Sequence, residues 1–239
     1  MKKFFLLGIV FTALTSFGQT TFSYKDDFKK VLAKTKDKND NLSYDKLLER
    51  FTTNDTTLTD FEVLALLIGF TDKPEYKPYQ DLDTEREIFK LNGEKKYQQG
   101  LDSANKFLRT HPLSVKTIFE KSYSFHKLEQ KDSAQYYLDQ GRRIFKAMYF
   151  SGDGKTTENP SFALGPADGQ DYIRKFVGAK IGTMGSGRDK AGNFLDILEA
   201  KFDDGQTMKL YFIIQHATSK MFDGKSIEDE LNKQKKKNN

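Results

Sequence analysis

The stretch YQQGLDSANKFLRTHP, residues 97–112, lies over KDSAQYYLDQGRRIFK, residues 131–146, at a shift of 34 residues. In the first copy Tyr97, Gly100, Leu101, Ala104, Phe107 and Leu108 recur at helical spacing, and Pro112 stops the run. The shift sets Ala134 over Gly100, Leu138 over Ala104 and Gly141 over Phe107, so small or apolar residues return where a second helix must approach closely. Helices stacked pairwise through small-residue seams are therefore expected over residues 43–150. Two such units do not bury a continuous core, since about three are needed. The flanking segments must then serve as caps.

That period is the tetratricopeptide length, and the pattern resembles tetratricopeptide helix pairs. Pro112 holds the terminal proline position and Phe125 that of the first-helix aromatic, while the usual Trp is missing. Working toward the N-terminus, Tyr44, Leu47, Leu48 and Phe51 repeat at i, i+3, i+4 and i+7, which makes an amphipathic helix. Thr59 and Glu62 stand at capping-box spacing and Leu58 with Val63 at staple spacing, so the next helix has a doubly specified start. Its run from Phe61 through Ile68 is apolar all round, which marks a helix buried on most faces and the hub of the helical part. Gly69 is expected to end it. Pro74 and Pro78 then bar helix until Ile88, Phe89 and Leu91 supply a buried face closed by Asn92-Gly93. Asp132 with Gln135 is expected to cap the helix that carries the second copy.

Beyond Phe150 the helical period disappears. Residues 162–164 read as a short strand, Tyr172 to Val177 as a one- or two-turn helix, and 178–192 as a flexible glycine-rich passage. Residues 193–202 and 206–216 are apolar, β-prone runs joined by Asp203-Asp204-Gly205, and Asp-Gly is the dipeptide of a two-residue hairpin turn. One face of this hairpin carries Leu195, Ile197, Tyr211 and Ile213, the other Leu198, Phe202, Leu210 and Phe212. The expected fold is α+β: an N-terminal helical bundle with two tetratricopeptide-like helix pairs, and a small C-terminal antiparallel hairpin unit packed on it. Its segments are 1–18, 19–150, 151–222 and a charged helix and tail at 223–239.

Met1-Lys2-Lys3 followed by the apolar run 4–11 and the small-x-small triplet Ser16-Phe17-Gly18 has the form of a cleavable secretory leader. That run is too short for a bilayer span of about 20 residues. Cysteine is absent, which excludes disulfides, thiolate chemistry and lipid attachment through an N-terminal Cys. A periplasmic or secreted location is the expectation. The formal charge of +5 falls to zero once Lys2, Lys3 and the tail lysines Lys235, Lys236 and Lys237 are set aside. A nucleic-acid partner is not expected, because the body lacks a concentrated basic face.

With this organisation in place, several short motifs read together. They are Tyr44-x-x-Leu47-x-x-Arg50-Phe51, the segment from Asp55 to Leu58-Thr59-x-x-Glu62, Tyr76-Lys77-Pro78-Tyr79 and Ser151-Gly152-Asp153-Gly154-Lys155. In that order and spacing the chain resembles a family of exported Bacteroidota proteins catalogued as domain of unknown function 4919, over roughly residues 42–212. The resemblance implies an envelope or secreted location and a single α+β unit. It implies no activity, ligand or catalytic residue.

The sharpest chemical pattern is Gly152-Asp153-Gly154-Lys155-Thr156, which resembles the end of a phosphate-binding loop. The full pattern needs glycine at position 149, which is Tyr149, and Pro160 follows before any helix offers its N-terminus. A turn ending the last bundle helix is the better reading, with Asp153 and Lys155 retained as binding candidates. Gly182-x-x-Gly185-Ser186-Gly187-Arg188 lacks dinucleotide spacing. His111, His126 and His216 form no close pair, so neither a metal nor a cofactor is expected. No Ser stands in a Gly-x-Ser-x-Gly elbow, and Asp153 with Glu158 lacks a calcium ligand ladder. Tyr76, Tyr79, Tyr123, Tyr136 and Tyr137 are candidates for a groove, tyrosine offering area and a hydroxyl together. For each one singly, burial between helices is the commoner outcome. Two functions remain open. One is a non-enzymatic module that engages a protein or peptide partner, with Tyr76 and Tyr79 leading the binding residues. The other is a hydrolase of an envelope polymer using carboxylates such as Asp153 and a histidine in the crease between halves. Convergent acids and histidine of perturbed pKa favour the second, a shallow groove without them the first.

Overall fold

The computed structural model describes residues 22–221. The leader expected at 1–18, the last helix expected at 226–231 and the lysine-rich end lie outside the described residues. The helical part comprises α1 (Tyr24–Lys36), α2 (Tyr44–Thr52), α3 (Asp60–Phe70), α4 (Asp81–Gly93), α5 (Tyr97–Leu108), α6 (Val115–Lys127) and α7 (Lys131–Ser151).

The start of α3 is fixed as its sequence dictates. The Thr59 side chain accepts the Glu62 N–H (3.2 Å) and the Glu62 carboxylate accepts the Thr59 N–H (2.8 Å). Arg50 of α2 clamps the box from outside by binding both Glu62 and Asp55. Every residue from Val63 to Phe70 is buried, and each large side chain among them contributes roughly 1.5–3 kcal/mol of transfer free energy. Gly69 does not end the helix. It lies where a β-carbon would sit 3.0 Å from both Thr35 of α1 and Tyr44 of α2, so the glycine lets those helices close on the hub.

The seam positions Gly100, Ala104 and Gly141 pack closely as their spacing requires, whereas Leu138 is only partly buried. Helices α4, α5 and α6 each pack on the next, and α7 returns to α3. Gly100 faces Asn92 of α4 and Ser124 of α6, Ala104 is fully buried beside Ile88, and Gly141 lies beneath the Phe119 ring. Asp132 does not cap α7. The helix begins at Lys131 with Gln130 before it, and that residue makes no side-chain capping bond.

The second half is larger than a hairpin. Strands β1 (Ser161–Phe162), β2 (Lys180–Arg188), β3 (Phe194–Lys201) and β4 (Thr207–Ile213) form one sheet in the order β1-β4-β3-β2, with β1 parallel to β4 and the other pairs antiparallel. Between β1 and β2 come α8 (Asp168–Tyr172) and a π-helical turn (Ile173–Val177), and α9 (Gln215–Met221) follows β4. The passage expected to be flexible at 178–192 is mostly the strand β2. Its glycines carry no side chains to alternate, so period-2 patterning could not show. Two of them stand where β3 side chains cross the strand: a β-carbon on Gly187 would meet Ile197, and one on Gly182 would meet Glu199 and Lys201, while Gly185 faces open space.

The β3–β4 register places Leu195 opposite Ile213 and Leu198 opposite Leu210, matching the two faces read from the sequence. The loop differs. Phe202 N–H bonds Gln206 O (2.9 Å) around a three-residue turn in which Gly205 has φ +86°, the left-handed position such a turn reserves for glycine. Gly169 of α8 sits directly on Phe212 and Leu198, so α8 covers that face. His216, expected at a strand end, belongs to α9. The main buried core runs from Val31 of α1 to Ala217 of α9 and joins the two halves, and Ile88, Ala104 and Phe107 form a smaller cluster beside it.

Candidate functional site

Two concavities bear on function. The first is the crease between halves, where α4, the α5–α6 loop and residues 164–168 meet around Asp81, Glu85, His111, Ser114 and Asp168. Glu85 comes from α4, and burial pushes its carboxyl up although the Ser114 hydroxyl donates to it (2.7 Å). Asp168 is pushed up further by burial and by the Glu85 charge, while accepting the Gly165 N–H (2.8 Å). Burial works against a charged His111 ring, but the Asp81 carboxylate 3.2 Å from Nε2 outweighs it and raises the pKa.

These groups converge, yet their valences are used. His111 Nε2 also faces the Glu75 carbonyl (3.0 Å), Nδ1 faces Thr110 Oγ1 (2.8 Å), and the ring stacks on Phe107 (4.2 Å). The free volume in the crease is about 30 Å³, enough for a water or two and far below a substrate site. The arrangement locks the 164–168 segment onto the helices.

The second concavity is a groove of about 590 Å³ between α6 and α7, closed at one side by the π-helical turn. Its floor is Phe119, Ala134 and Leu138, and its rim carries three cations, Lys131, Arg142 and Lys175, against one carboxylate, Glu120. The floor follows from the seam. Gly141 has no side chain, so Phe119 lies against the α7 backbone and stacks on Phe145 (5.0 Å), leaving room above Ala134 and Leu138. Lys175 Nζ hovers 5.0 Å above the Phe119 ring and is held by Asp171 (3.0 Å), with Glu120 at 3.9 Å. Arg142 projects from α7 with Asp139 at 3.7 Å. An apolar floor with a cationic rim can hold a short segment that combines an apolar side chain with carboxylates.

The four residues singled out from sequence are not brought together. Tyr76 is buried, its hydroxyl donating to the Leu164 carbonyl and its ring edge-on to Phe70 (5.8 Å), and it lines the crease. Tyr79 is partly buried on the core, where burial and then the Asp196 charge push its phenol up to about 12. Asp153 folds its own loop, accepting the Lys155 N–H (3.1 Å) and the Asn159 amide (2.9 Å), and Lys155 is exposed beside it. Of the five tyrosines proposed for a groove, Tyr123 alone lines this one.

Apart from Tyr123, the residues that make the groove are not among the binding candidates read from sequence, although a signal exists. Lys131, Ala134, Leu138 and Arg142 recur at i, i+3, i+7 and i+11, as do Phe119, Ser122 and His126 at i, i+3 and i+7, so each set shares one helix face. Among the described residues no cluster of three His, Cys, Asp or Glu could hold a metal ion, and no helix is long and apolar enough to cross a membrane.

A family model described as Domain of unknown function (DUF4919) matches residues 29–222, and the chain belongs to that family. No curated protein and no solved structure matches it.

Proposed function

We propose that this member of the DUF4919 family is an exported, non-enzymatic interaction module that holds an acidic, apolar-anchored peptide segment of a partner protein in the α6–α7 groove. The observation that carries the reading is the groove itself: about 590 Å³, within the range of ligand sites, with Phe119 and Leu138 below and Lys131, Arg142 and Lys175 around. The tetratricopeptide-like spacing of α5 to α7 adds an analogy, since stacked helix pairs commonly present peptide-binding surfaces. The leader-like pattern of residues 1–18 supports export.

The hydrolase reading draws on the raised carboxyls of Glu85 and Asp168. It is the weaker one, because the crease admits little more than water and His111 has no nitrogen free to move a proton.

The test is a binding isotherm with a fluorescent peptide bearing one phenylalanine between glutamates, against a peptide of the same length with lysines in their place. The acidic peptide is expected to bind with an affinity that falls as salt rises, and a Lys131→Glu, Arg142→Glu double variant should weaken it at least about ten-fold. Equal binding of both peptides, or no effect of the double variant, defeats the reading.

A further inference from the structure

Strand β2 is the last in the sheet order, and Thr183, Met184, Gly185, Ser186 and Arg188 are exposed along it. Natural sheets blunt such edges with short length, proline, charged side chains or bulges. This edge runs nine residues, Lys180–Arg188, without proline; its charges stand only at its two ends and its one bulge lies between Ile181 and Met184, so the stretch from Met184 to Gly187 is regular and uncharged.

Which backbone groups it offers follows from the ladder. Asp189 N–H bonds Asn193 O (3.0 Å), so by the alternation of antiparallel pairs Gly187 with Leu195 and Gly185 with Ile197 exchange the bonds between β2 and β3. The other side of β3 agrees: Ile214 N–H bonds Phe194 O (3.1 Å) and Phe202 N–H bonds Gln206 O (2.9 Å), which turns Phe194, Asp196 and Leu198 toward β4. The N–H and C=O groups of Met184, Ser186 and Arg188 therefore point outward from the sheet.

We propose that this edge is the contact between two copies of the chain, β2 pairing antiparallel with its counterpart across a two-fold axis at Ser186. The outward trio is symmetric about Ser186, so each donor meets an acceptor when Met184 of one copy stands opposite Arg188 of the other. Charge selects this alignment. An axis at Met184 would set Lys180 against Arg188 twice, like charge on like charge, whereas the axis at Ser186 opposes no two charges within the strand. Both cations are already engaged locally, Lys180 with Asp203 (2.8 Å) and Arg188 with the Gly192 carbonyl and the Phe194 ring, so neither must move. Met184, 61% exposed, gains cover from the aliphatic stem of Arg188. Both partners bring a strand already ordered, so pairing carries little ordering cost. The contact is small, and the dimer is accordingly weak and concentration-dependent.

The experiment is sedimentation of the leaderless chain from micromolar to high micromolar concentration, with two variants. Ser186→Pro removes one outward N–H while leaving the ladder bonds of residues 185 and 187 to β3 intact, as proline on an edge strand permits. Ser186→Cys introduces a thiol into a chain that has none, and in a hydrogen-bonded pair the two α-carbons stand about 5.5 Å apart, within disulfide reach. Expected are a concentration-dependent dimer, at least a ten-fold weaker one in Ser186→Pro, and a covalent dimer on mild oxidation of Ser186→Cys. A monomer at every concentration, a dimer indifferent to Ser186→Pro with unchanged circular dichroism, or a dimer that Ser186→Cys does not trap overturns the proposal. Should Ser186→Pro fail to fold, trapping by Ser186→Cys decides alone.

Discussion

The Phe119 ring lies over Gly141 so closely that a β-carbon added to the glycine would fall 2.7 Å from it. This contact joins α6 to α7 and sets the floor of the groove at once. Alanine at 141 gains helix propensity, worth about 1 kcal/mol, but must displace a ring stacked on Phe145 at 5.0 Å in a packed core. Overpacking of that kind costs about 1–3 kcal/mol, so Gly141→Ala is expected to be neutral to destabilising and Gly141→Val clearly destabilising. Urea unfolding midpoints with unchanged slope test this, and a midpoint raised by both changes would contradict the packing.

Asp196 of β3 is pushed by burial from its ordinary range up to about 6. The folded state therefore holds a proton the unfolded chain has released, and this group's contribution to stability falls as pH rises from about 4 through about 6. A shift of that size corresponds to at most about 3 kcal/mol, and partial exposure reduces it. Asp196→Asn keeps the shape and abolishes the titration. Its unfolding free energy should exceed wild type at pH 7 and converge with it near pH 4. A constant difference across that window would show that the carboxyl is ordinary in the fold.

How far the chain was legible depends on whether side chains or their absence carried the information. The capping box at Thr59 and Glu62, the all-apolar hub and the seams at Gly100, Ala134 and Gly141 write themselves into spacing, so the helical part was readable. The edge strand was not. Gly187 and Gly182 let Ile197 and Glu199 cross it, a requirement set by a neighbouring strand. The groove was half visible: the stripe Lys131, Ala134, Leu138 and Arg142 is periodic, but only tertiary packing shows that its α6 counterpart and Lys175 close it. Tyr76 and Asp153 carry conspicuous chemistry in tyrosine-rich and glycine-rich motifs, but the fold spends it on its own hydrogen bonds.

His216 is stacked on Phe162 at 4.4 Å and flanked by Phe28 and Tyr76, and burial pushes its imidazole down to about 3. The sign is opposite to that of Asp196. The unfolded chain binds a proton that the native ring refuses, so stability is lost as pH falls from about 6.5 toward 3. His216→Phe retains the stack and removes the proton site. It is expected to shift the acid-unfolding midpoint downward by at least about half a pH unit, followed by tryptophan-independent far-ultraviolet circular dichroism. An unchanged midpoint would place the acid sensitivity in other groups.

Tyr76 separates a structural tyrosine from a binding one. Its hydroxyl donates to the Leu164 carbonyl across the junction between helices and sheet, and the ring is 3% exposed. Tyr76→Phe leaves the ring contacts with Phe70 and removes one hydrogen bond, stranding a carbonyl where water enters poorly. The cost should be about 1–2 kcal/mol in unfolding free energy. Peptide affinity at the α6–α7 groove should not change, since Tyr76 is no part of its lining. Measuring both quantities on one protein preparation distinguishes the roles: a loss of peptide binding at full stability would return Tyr76 to the recognition surface and move the binding site to the crease.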